Sequence, residues 1–438
     1  MKLKNVVLII ILLICSTSCL GKLLDSLVAK QFINHLKEQD FTKAYALVDE
    51  HVREKLSSSL LENTWAQLTS STGKLTHVAD AYKEKLGNQA CFYFPCQFEK
   101  QLLDLKVVVT SGDKIGGFYF LPHGEHVYHL PDYAKPGHYL EQAIVVDSDN
   151  IHKLDGTLTL PNNLDQPVPV IVLLHGSGPN DQDEAIGPNK MFKDLAIGLA
   201  NFGIATLRYN KRTYSYPGDY KNGITIREEV IEDALSAINM CKLIPQINSK
   251  EIYLAGHSFG GMLASEIGLE AKTLRGLILL AANNSPLEDL IYKQYQYQFD
   301  LDGKRSEEEN NQLKLMRAQI RYLNSDKLTL SSPVDSLPLS IPASYWLDLK
   351  SHDPLKSYAA LQKKCLVLQG ERDYQVPRAD YQMWKSFTST KDNISAASFP
   401  KLNHFFMEGE GKPSPEEYTK PQHVSYEVIE RIAHWLDE

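Results

Sequence analysis

From Val168 onward the sequence alternates continuous apolar runs with helical stretches, and this rhythm constrains the fold more than any other feature. Helical stretches occupy residues 191–202, 227–241 and 424–436. The apolar runs have the length of strands and stand at residues 168–174, 204–207, 251–255, 277–280, 365–369 and 396–399. Strands that are apolar on both faces and joined by helices form a parallel sheet covered on both sides. The sequence therefore predicts an α/β fold.

Two segments extend this plan into a domain spanning residues 140–438. Residues 143–146 and 158–160, separated by Asp155-Gly156, predict an antiparallel strand pair at the opening edge of the sheet. Residues 283–360 depart from the rhythm and carry prolines, aromatic residues and an acidic run at 307–309. An insertion at this place would lie over the carboxyl edge of the sheet, so we interpret it as a cap.

The N-terminal part of the chain follows a different pattern. In residues 22–121, apolar side chains first recur at helical spacing and then alternate in strand-like runs. This order predicts a small α+β domain, and the Pro-, Gly- and His-rich residues 122–139 predict a linker after it. With the run Asp40-Phe41-Thr42-Lys43-Ala44, the pattern resembles cone-shaped cystatin-like or nuclear-transport-factor-like domains, particularly a module found ahead of exported bacterial hydrolases. We expect a binding or dimerisation role.

The first residues have the layout of an export signal. Lys2 and Lys4 precede nine apolar residues at 6–14, and small polar residues follow. The apolar run is too short to span a membrane, which takes about 20 residues. We therefore expect residues 1–18 to be a signal peptide and the protein to reach the periplasm or cell envelope. Cys19 resembles the lipidated cysteine of a bacterial lipoprotein, which would attach the chain to a membrane; plain signal cleavage is the alternative.

Charge and cysteine content bear on three possible features: a nucleic-acid partner, a disulfide and a zinc site. A formal net charge of -8 argues against nucleic acid as a partner, because phosphate binding requires a concentrated basic face. Cys91 and Cys96 are close in sequence, and in an oxidising compartment they could form a disulfide or remain two buried thiols. No further Cys or His completes a zinc ligand set around them. The oligomeric state stays open.

A candidate catalytic serine lies in the run Gly256-His257-Ser258-Phe259-Gly260. It follows an apolar strand and precedes a helical stretch, the context in which a G-x-S-x-G motif exposes a nucleophilic serine on a sharp turn. The glycines allow strand and helix to pass closely. An ordinary Gly-rich turn is the competing interpretation. The sequence predicts Ser258 as the nucleophile.

A serine nucleophile requires a base and an acid that orients the base. His404 follows the last strand by a short loop and is the predicted base; His434, in the terminal helix, is the weaker alternative. Asp373 follows the preceding strand and is the predicted acid, with Glu371 as its competitor.

Two backbone N-H groups should stabilise the oxyanion of the reaction. One belongs to Phe259, the residue after the nucleophile. The other is expected in the loop His175-Gly176-Ser177-Gly178-Pro179, which follows an early strand. We predict Ser177 as this donor, with Gly176 as the alternative.

With these motifs in place, residues 140–438 resemble the α/β-hydrolase superfamily. The segments 175–180 and 210–214 resemble its exported esterases and serine aminopeptidase-like branch. The resemblance implies Ser258, Asp373 and His404 as the catalytic triad and maps the oxyanion loop to Gly176-Ser177. The loop lacks the HGGG form of one lipase group.

The predicted reaction is hydrolysis of small carboxylic esters through an acyl-enzyme, with no cofactor and no metal. A peptidase or amidase on short peptides is the first alternative; it requires an acidic subsite, for which Glu288, Asp289 or the run 307–309 are candidates. Acyltransferase or thioesterase activity and a non-catalytic envelope binding protein are further alternatives.

Overall fold

The structure is a computed structural model that describes residues 17–53, 56–86, 89–110, 112–124, 127–162, 164–216, 218 and 223–438. The predicted export signal, apart from its last two residues, lies outside this part of the chain, as does the side chain of Cys19. The chain divides into two compact units, Met1–Val127 and Tyr128–Glu438.

The first unit combines helices with an antiparallel sheet. The helices are α1 (Thr17–Lys37), α2 (Phe41–Ala46), α3 (Glu50–Arg53) and α4 (Ser58–Thr72). The strands are β1 (Leu75–Val78), β2 (Tyr82–Leu86), β3 (Gln89–Phe98), β4 (Leu102–Val109) and β5 (Ile115–Pro122). The sheet has the order β1-β3-β4-β5, with β2 also paired to β3. Phe32 of α1 and Trp65 of α4 pack against it, which confirms the predicted α+β domain.

The two neighbouring cysteines of this unit are not bridged. Cys91 and Cys96 both lie in β3, and both are buried. Because they are five residues apart in one strand, their side chains leave opposite faces of the sheet. Cys96 packs in the core with Phe94 and Phe98.

The second unit is built on an eight-stranded sheet. Its strands are β6 (Tyr139–Asp147), β7 (Lys153–Pro161), β8 (Val168–Leu174), β11 (Ala205–Tyr209), β12 (Ile247–His257), β13 (Gly276–Leu280), β14 (Lys364–Gly370) and β15 (Ile394–Phe399). The short pair β9 (Ala185–Ile186) and β10 (Asn189–Lys190) stands apart. The order is β15-β14-β13-β12-β8-β11-β7-β6. The strands from β15 to β11 are parallel, and β7 and β6 are antiparallel.

Helices cover both faces of this sheet, as predicted. They are α5 (Met191–Ala200), α6 (Arg212–Ser215), a π-helical turn (Arg227–Ile231) continuing into α7 (Glu232–Cys241), α8 (Phe259–Glu270), α13 (Arg378–Ser386) and α14 (Tyr426–Asp437). Alternate residues of β8 face different cores: Val172 packs on the side of α7 and α8. Leu173 packs on the side of α5 and α14. Burial on both faces explains the continuous apolar strands.

The antiparallel edge pair exists, but its predicted turn is wrong. The chain reverses at residues 148–152, whereas Asp155 and Gly156 lie inside β7, opposite Val145 and Ile144. Gly156 signals close packing instead of a turn, because a Cβ there would lie 2.6 Å from the backbone oxygen of Arg208 on β11.

Two further segments complete the unit. Within the predicted linker, the Tyr128 hydroxyl donates to Asp194 at 2.7 Å and the Tyr133 hydroxyl donates to the Val424 carbonyl at 3.0 Å. Between β13 and β14 lie α9 (Leu287–Phe299), α10 (Glu307–Leu323), α11 (Ala343–Leu349) and α12 (Pro354–Ala360). The acidic run begins α10, where Glu309 closes a capping box with Ser306.

Candidate active site

Ser258 occupies the turn between β12 and α8. Its backbone has φ 52° and ψ -118°, a region that non-glycine residues rarely adopt and that costs about 1–3 kcal/mol. The Ser258 N-H donates to the Leu280 carbonyl at the end of β13, at 2.8 Å. The side chain is half-buried. The neighbouring strand therefore holds a strained turn that presents one hydroxyl.

The two motif glycines are required by close backbone approach. A Cβ on Gly256 would lie 2.4 Å from the carbonyl oxygen of Gly260. A Cβ on Gly260 would lie 2.4 Å from the carbonyl oxygen of His175. Both obstacles are backbone atoms, so neither position has room for a side chain.

His404 and Asp373 come together behind the carboxyl ends of β14 and β15. The Nδ1-H of His404 donates to Oδ2 of Asp373 at 2.7 Å, and both side chains are buried. The other carboxylate oxygen accepts the N-H groups of Gln375 and Val376 at 2.7 and 2.9 Å. Gln369 donates to Oδ2 at 2.8 Å. This network fixes the carboxylate and leaves Nε2 as the ring nitrogen of His404 that faces away from it.

The competing residues are engaged elsewhere. Glu371 is exposed and accepts a hydrogen bond from Ser398 at 2.8 Å. His434 is exposed on α14, with its ring 6.2 Å from that of Phe202.

The predicted oxyanion loop lies against the nucleophile turn. A Cβ on Gly176 would lie 3.3 Å from the Cβ of Ser258. The Gly176 N-H already donates to Oε1 of Glu184 at 2.8 Å, so it is not free for a substrate. Within the described residues, no acceptor engages the N-H of Ser177 or of Phe259. Ser177 is exposed, and Phe259 begins α8, where the first N-H groups lack helical acceptors.

A buried ion pair, missed by the sequence analysis, supports this loop from behind. Nδ1 of His257 lies 3.0 Å from Oε1 of Glu184, and Nε2 lies 3.1 Å from the His404 carbonyl. The Glu184 carboxylate and the His404 carbonyl are both hydrogen-bond acceptors, so both ring nitrogens face acceptors, and this arrangement favours the imidazolium form of His257. Burial opposes the charge, but Glu184 outweighs it and raises the pKa of His257. No motif marks Glu184 in the sequence, because its role depends on a contact across 73 positions.

A cavity of about 280 Å³ opens beside α8. It is lined by Met262, one turn after Ser258, and by residues of the segment between β13 and β14, including Glu288, Lys350 and His352. Glu288 is only 6% exposed and has no hydrogen-bond or ion-pair partner among the described residues. The Lys350 ammonium is committed to the Leu323 carbonyl at 2.7 Å and to Asn324 at 2.6 Å.

The described residues contain neither a cluster of metal-binding side chains nor a helix of membrane-spanning character. No group of three or more His, Cys, Asp or Glu side chains there could hold a metal ion. No helix within the same residues is long and apolar enough to cross a membrane.

Family comparison agrees with this fold. The model of the "Alpha/beta hydrolase family" matches residues 171–419, and that of a "Protein of unknown function (DUF3887)" matches residues 29–118. The chain belongs to the alpha/beta hydrolase family.

Several individual proteins are similar to this chain. The chain is 35% identical over 407 residues to "Esterase EstD" of Thermotoga maritima, covering 92% of this chain and 93% of that protein. Among solved structures, Est1E from Butyrivibrio proteoclasticus is 19% identical, with a TM-score of 0.42, over 67% of this chain and 98% of that one. A hyperthermophilic esterase from Pyrobaculum calidifontis is 15% identical, with a TM-score of 0.43, over 69% of this chain and 87% of that one.

Proposed function

We propose that this protein hydrolyses carboxylic esters, with Ser258 as nucleophile, His404 as general base and Asp373 as the acid that orients His404. The observation that carries the proposal is the strained turn at Ser258, since a serine is held at φ 52° only where the surroundings enforce it. The His404-Asp373 hydrogen bond supports it, because it leaves Nε2 to act as base. The extended similarity to a Thermotoga maritima protein named as an esterase supports the choice of ester.

The proposed reaction has two halves. Nε2 of His404 takes the proton of the Ser258 hydroxyl while its oxygen attacks the ester carbonyl carbon. The N-H groups of Phe259 and Ser177 bind the oxyanion, and each such donor contributes about 3 kcal/mol to the transition state. His404 then gives the proton to the leaving alcohol. Water, deprotonated by His404, attacks the acyl-enzyme, and the acid leaves as the proton returns to Ser258.

A screen of p-nitrophenyl esters of graded chain length tests this proposal. Purified protein should turn over the shorter esters, and Ser258→Ala should lower kcat by about 10⁴-fold or more. Equal turnover by Ser258→Ala would refute the mechanism. Aminoacyl p-nitroanilides in the same screen distinguish an esterase from a peptidase.

Glu288 favours a second candidate, hydrolysis of substrates with a free amine. Its buried carboxylate lines the cavity beside α8 and has no counter-ion among the described residues, whereas Asp289, Glu307 and Glu308 are exposed. An ammonium group would supply the missing charge. The test compares alanine p-nitrophenyl ester with its N-acetyl form in wild type, Glu288→Gln and the exposed control Asp289→Asn. Loss of a free-amine preference in Glu288→Gln alone supports the subsite; no preference in wild type eliminates it.

We also propose export, with residues 1–18 as the signal and Cys19 as the lipidated residue. The basic start, the short apolar run and the cysteine after small residues support this proposal. Cell fractionation and mass spectrometry of the mature N-terminus test it. A membrane-bound form carrying a lipid mass, made soluble by Cys19→Ala, is expected; a cytoplasmic chain retaining residues 1–18 would contradict export.

A further inference from the structure

We propose that Lys211 is a positioning residue that orients and polarises the Ser177 N-H by binding the carbonyl of the same peptide. This inference rests on the proposed esterase mechanism. The Lys211 side chain, 3% exposed, donates from Nζ to the Gly176 carbonyl at 2.9 Å. Its backbone N-H also donates to the Asn180 carbonyl at 3.0 Å. Lys211 therefore holds the oxyanion loop by both its side chain and its main chain.

Peptide geometry links this contact to the proposed oxyanion donor. The Gly176 carbonyl and the Ser177 N-H belong to one planar trans peptide, so they point in opposite directions. The ammonium lies on the buried side of that peptide, which turns the N-H of the exposed Ser177 away from the interior. The amide of Asn180 makes longer contacts to the Gly176 and Ser177 carbonyls, at 3.3 and 3.2 Å. On the other side, Glu184 accepts the Gly176 N-H at 2.8 Å.

The charge of Lys211 adds to its geometric role. A cation at a carbonyl oxygen draws electrons from the peptide and strengthens its N-H as a donor, and the effect is larger in a buried site. Glu229 holds the ammonium at 3.3 Å. Glu229 is itself fixed by hydrogen bonds from Thr213 at 2.8 Å and from Tyr345 at 3.0 Å. The donor is thus preorganised before any substrate binds.

The test compares Lys211→Met with Arg212→Met. Arg212 is the adjacent residue and is also buried and paired with a carboxylate, Asp233, but among the contacts of the described residues it makes no hydrogen bond to Gly176. Lys211→Met should lower kcat by about tenfold to a hundredfold with little change in KM, since a misplaced donor costs less than a lost one. Lys211→Arg should restore most of the rate, because a guanidinium can also donate to the carbonyl.

Inhibitor binding separates positioning from a general loss of structure. A trifluoromethyl ketone forms an oxyanion on the serine, whereas the matched methyl ketone binds without reaction. Lys211→Met should weaken the trifluoromethyl ketone by the same factor as kcat/KM and leave the methyl ketone unchanged. If Lys211→Met does not fold, the double variant Lys211→Met/Glu229→Gln replaces it in the test, because the second substitution removes the buried carboxylate that has lost its cation. The inference would be overturned if Lys211→Met left the ratio of the two inhibitor affinities unchanged, or if Arg212→Met changed that ratio equally. Turnover by Ser258→Ala would instead overturn the proposed esterase mechanism.

Discussion

Glu184 and His257 form a buried ion pair behind the serine turn, with Oε1 and Nδ1 3.0 Å apart. The pair shifts both groups toward their charged forms. For Glu184, burial acts to raise the pKa, but His257 outweighs it and the net pKa is lowered. For His257 the net pKa is raised, against the effect of burial.

The stability contributed by this ion pair should depend on pH. Because the pKa of His257 is raised on folding, its contribution is complete below about pH 6.5 and is lost as the pH rises through the folded-state pKa. The difference in free energy of unfolding between wild type and Glu184→Gln should therefore shrink with rising pH. Urea denaturation from about pH 6 to 9 measures it. Asp380→Asn is the control, because this buried carboxylate accepts backbone N-H groups and has no histidine partner in the described part of the chain. A difference that does not change with pH for Glu184→Gln would contradict the ion pair.

His175 should affect how the free energy of unfolding changes with pH below about pH 6.5. Burial lowers its pKa to about 4, so the unfolded chain takes up a proton between about pH 6.5 and 4 that the folded protein does not. This uptake weakens folding as the pH falls. His175→Gln should flatten the acid limb between these values, as measured by urea denaturation. An unaltered limb in that variant would show that other groups cause the loss.

Asp373→Asn should lower kcat by about 10⁴-fold with the protein still folded, because the amide no longer stabilises the His404 imidazolium. The matched control is Glu371→Gln, a change of the same kind at an exposed carboxylate two residues earlier. The control should retain activity within about twofold, as expected for a surface substitution. Steady-state kinetics on a p-nitrophenyl ester measures both. An equal decrease of kcat in the two variants would contradict the proposed role of Asp373.

Gly260→Ala should destabilise the second unit by more than about 2 kcal/mol, since the added Cβ meets two backbone oxygens, of His175 and Leu174, at 2.4 and 2.6 Å. Gly218→Ala provides the comparison, because a Cβ there meets no atom of the described residues within 4 Å. Thermal and urea denaturation report the difference. Similar stability of the two variants would contradict the close approach at Gly260.

A reducing agent should leave the melting temperature unchanged. Cys91 and Cys96 are five residues apart in β3, which separates their Cα atoms by about 16 Å, well beyond the reach of a disulfide. Alkylation of the denatured, unreduced protein should modify both. Protection of the pair from alkylation until reduction would disprove the structure of this strand.

The sequence predicts those features that depend on local order. The strand-turn-helix around Ser258 follows from residues adjacent in the chain, and the strands before Asp373 and His404 are marked by their apolar runs. The α/β fold and the α+β domain were predicted correctly for this reason. The catalytic roles of these residues stay predictions.

Features that depend on distant contacts escape the sequence. Glu184 and Lys211 both contact Gly176. Glu184 has no periodic or motif signal of its own, and Lys211 lies in the esterase-like segment 210–214, which does not reveal its contact with Gly176. Gly156 was interpreted as a turn residue because its real constraint, the Arg208 carbonyl, belongs to another strand. The sequence did not distinguish Glu288 from the other acidic candidates, because its burial depends on how the segment between β13 and β14 packs.

One chain of hydrogen bonds joins segments far apart in the sequence. The Glu184 carboxylate accepts hydrogen bonds from the Gly176 N-H and from the His257 ring, and the same ring donates to the His404 carbonyl. The loops after β8, β12 and β15 are therefore structurally coupled. Grafting one of them from a related enzyme would leave a buried charge without its partner unless the others were transferred with it. These three loops should accordingly tolerate exchange together and not singly.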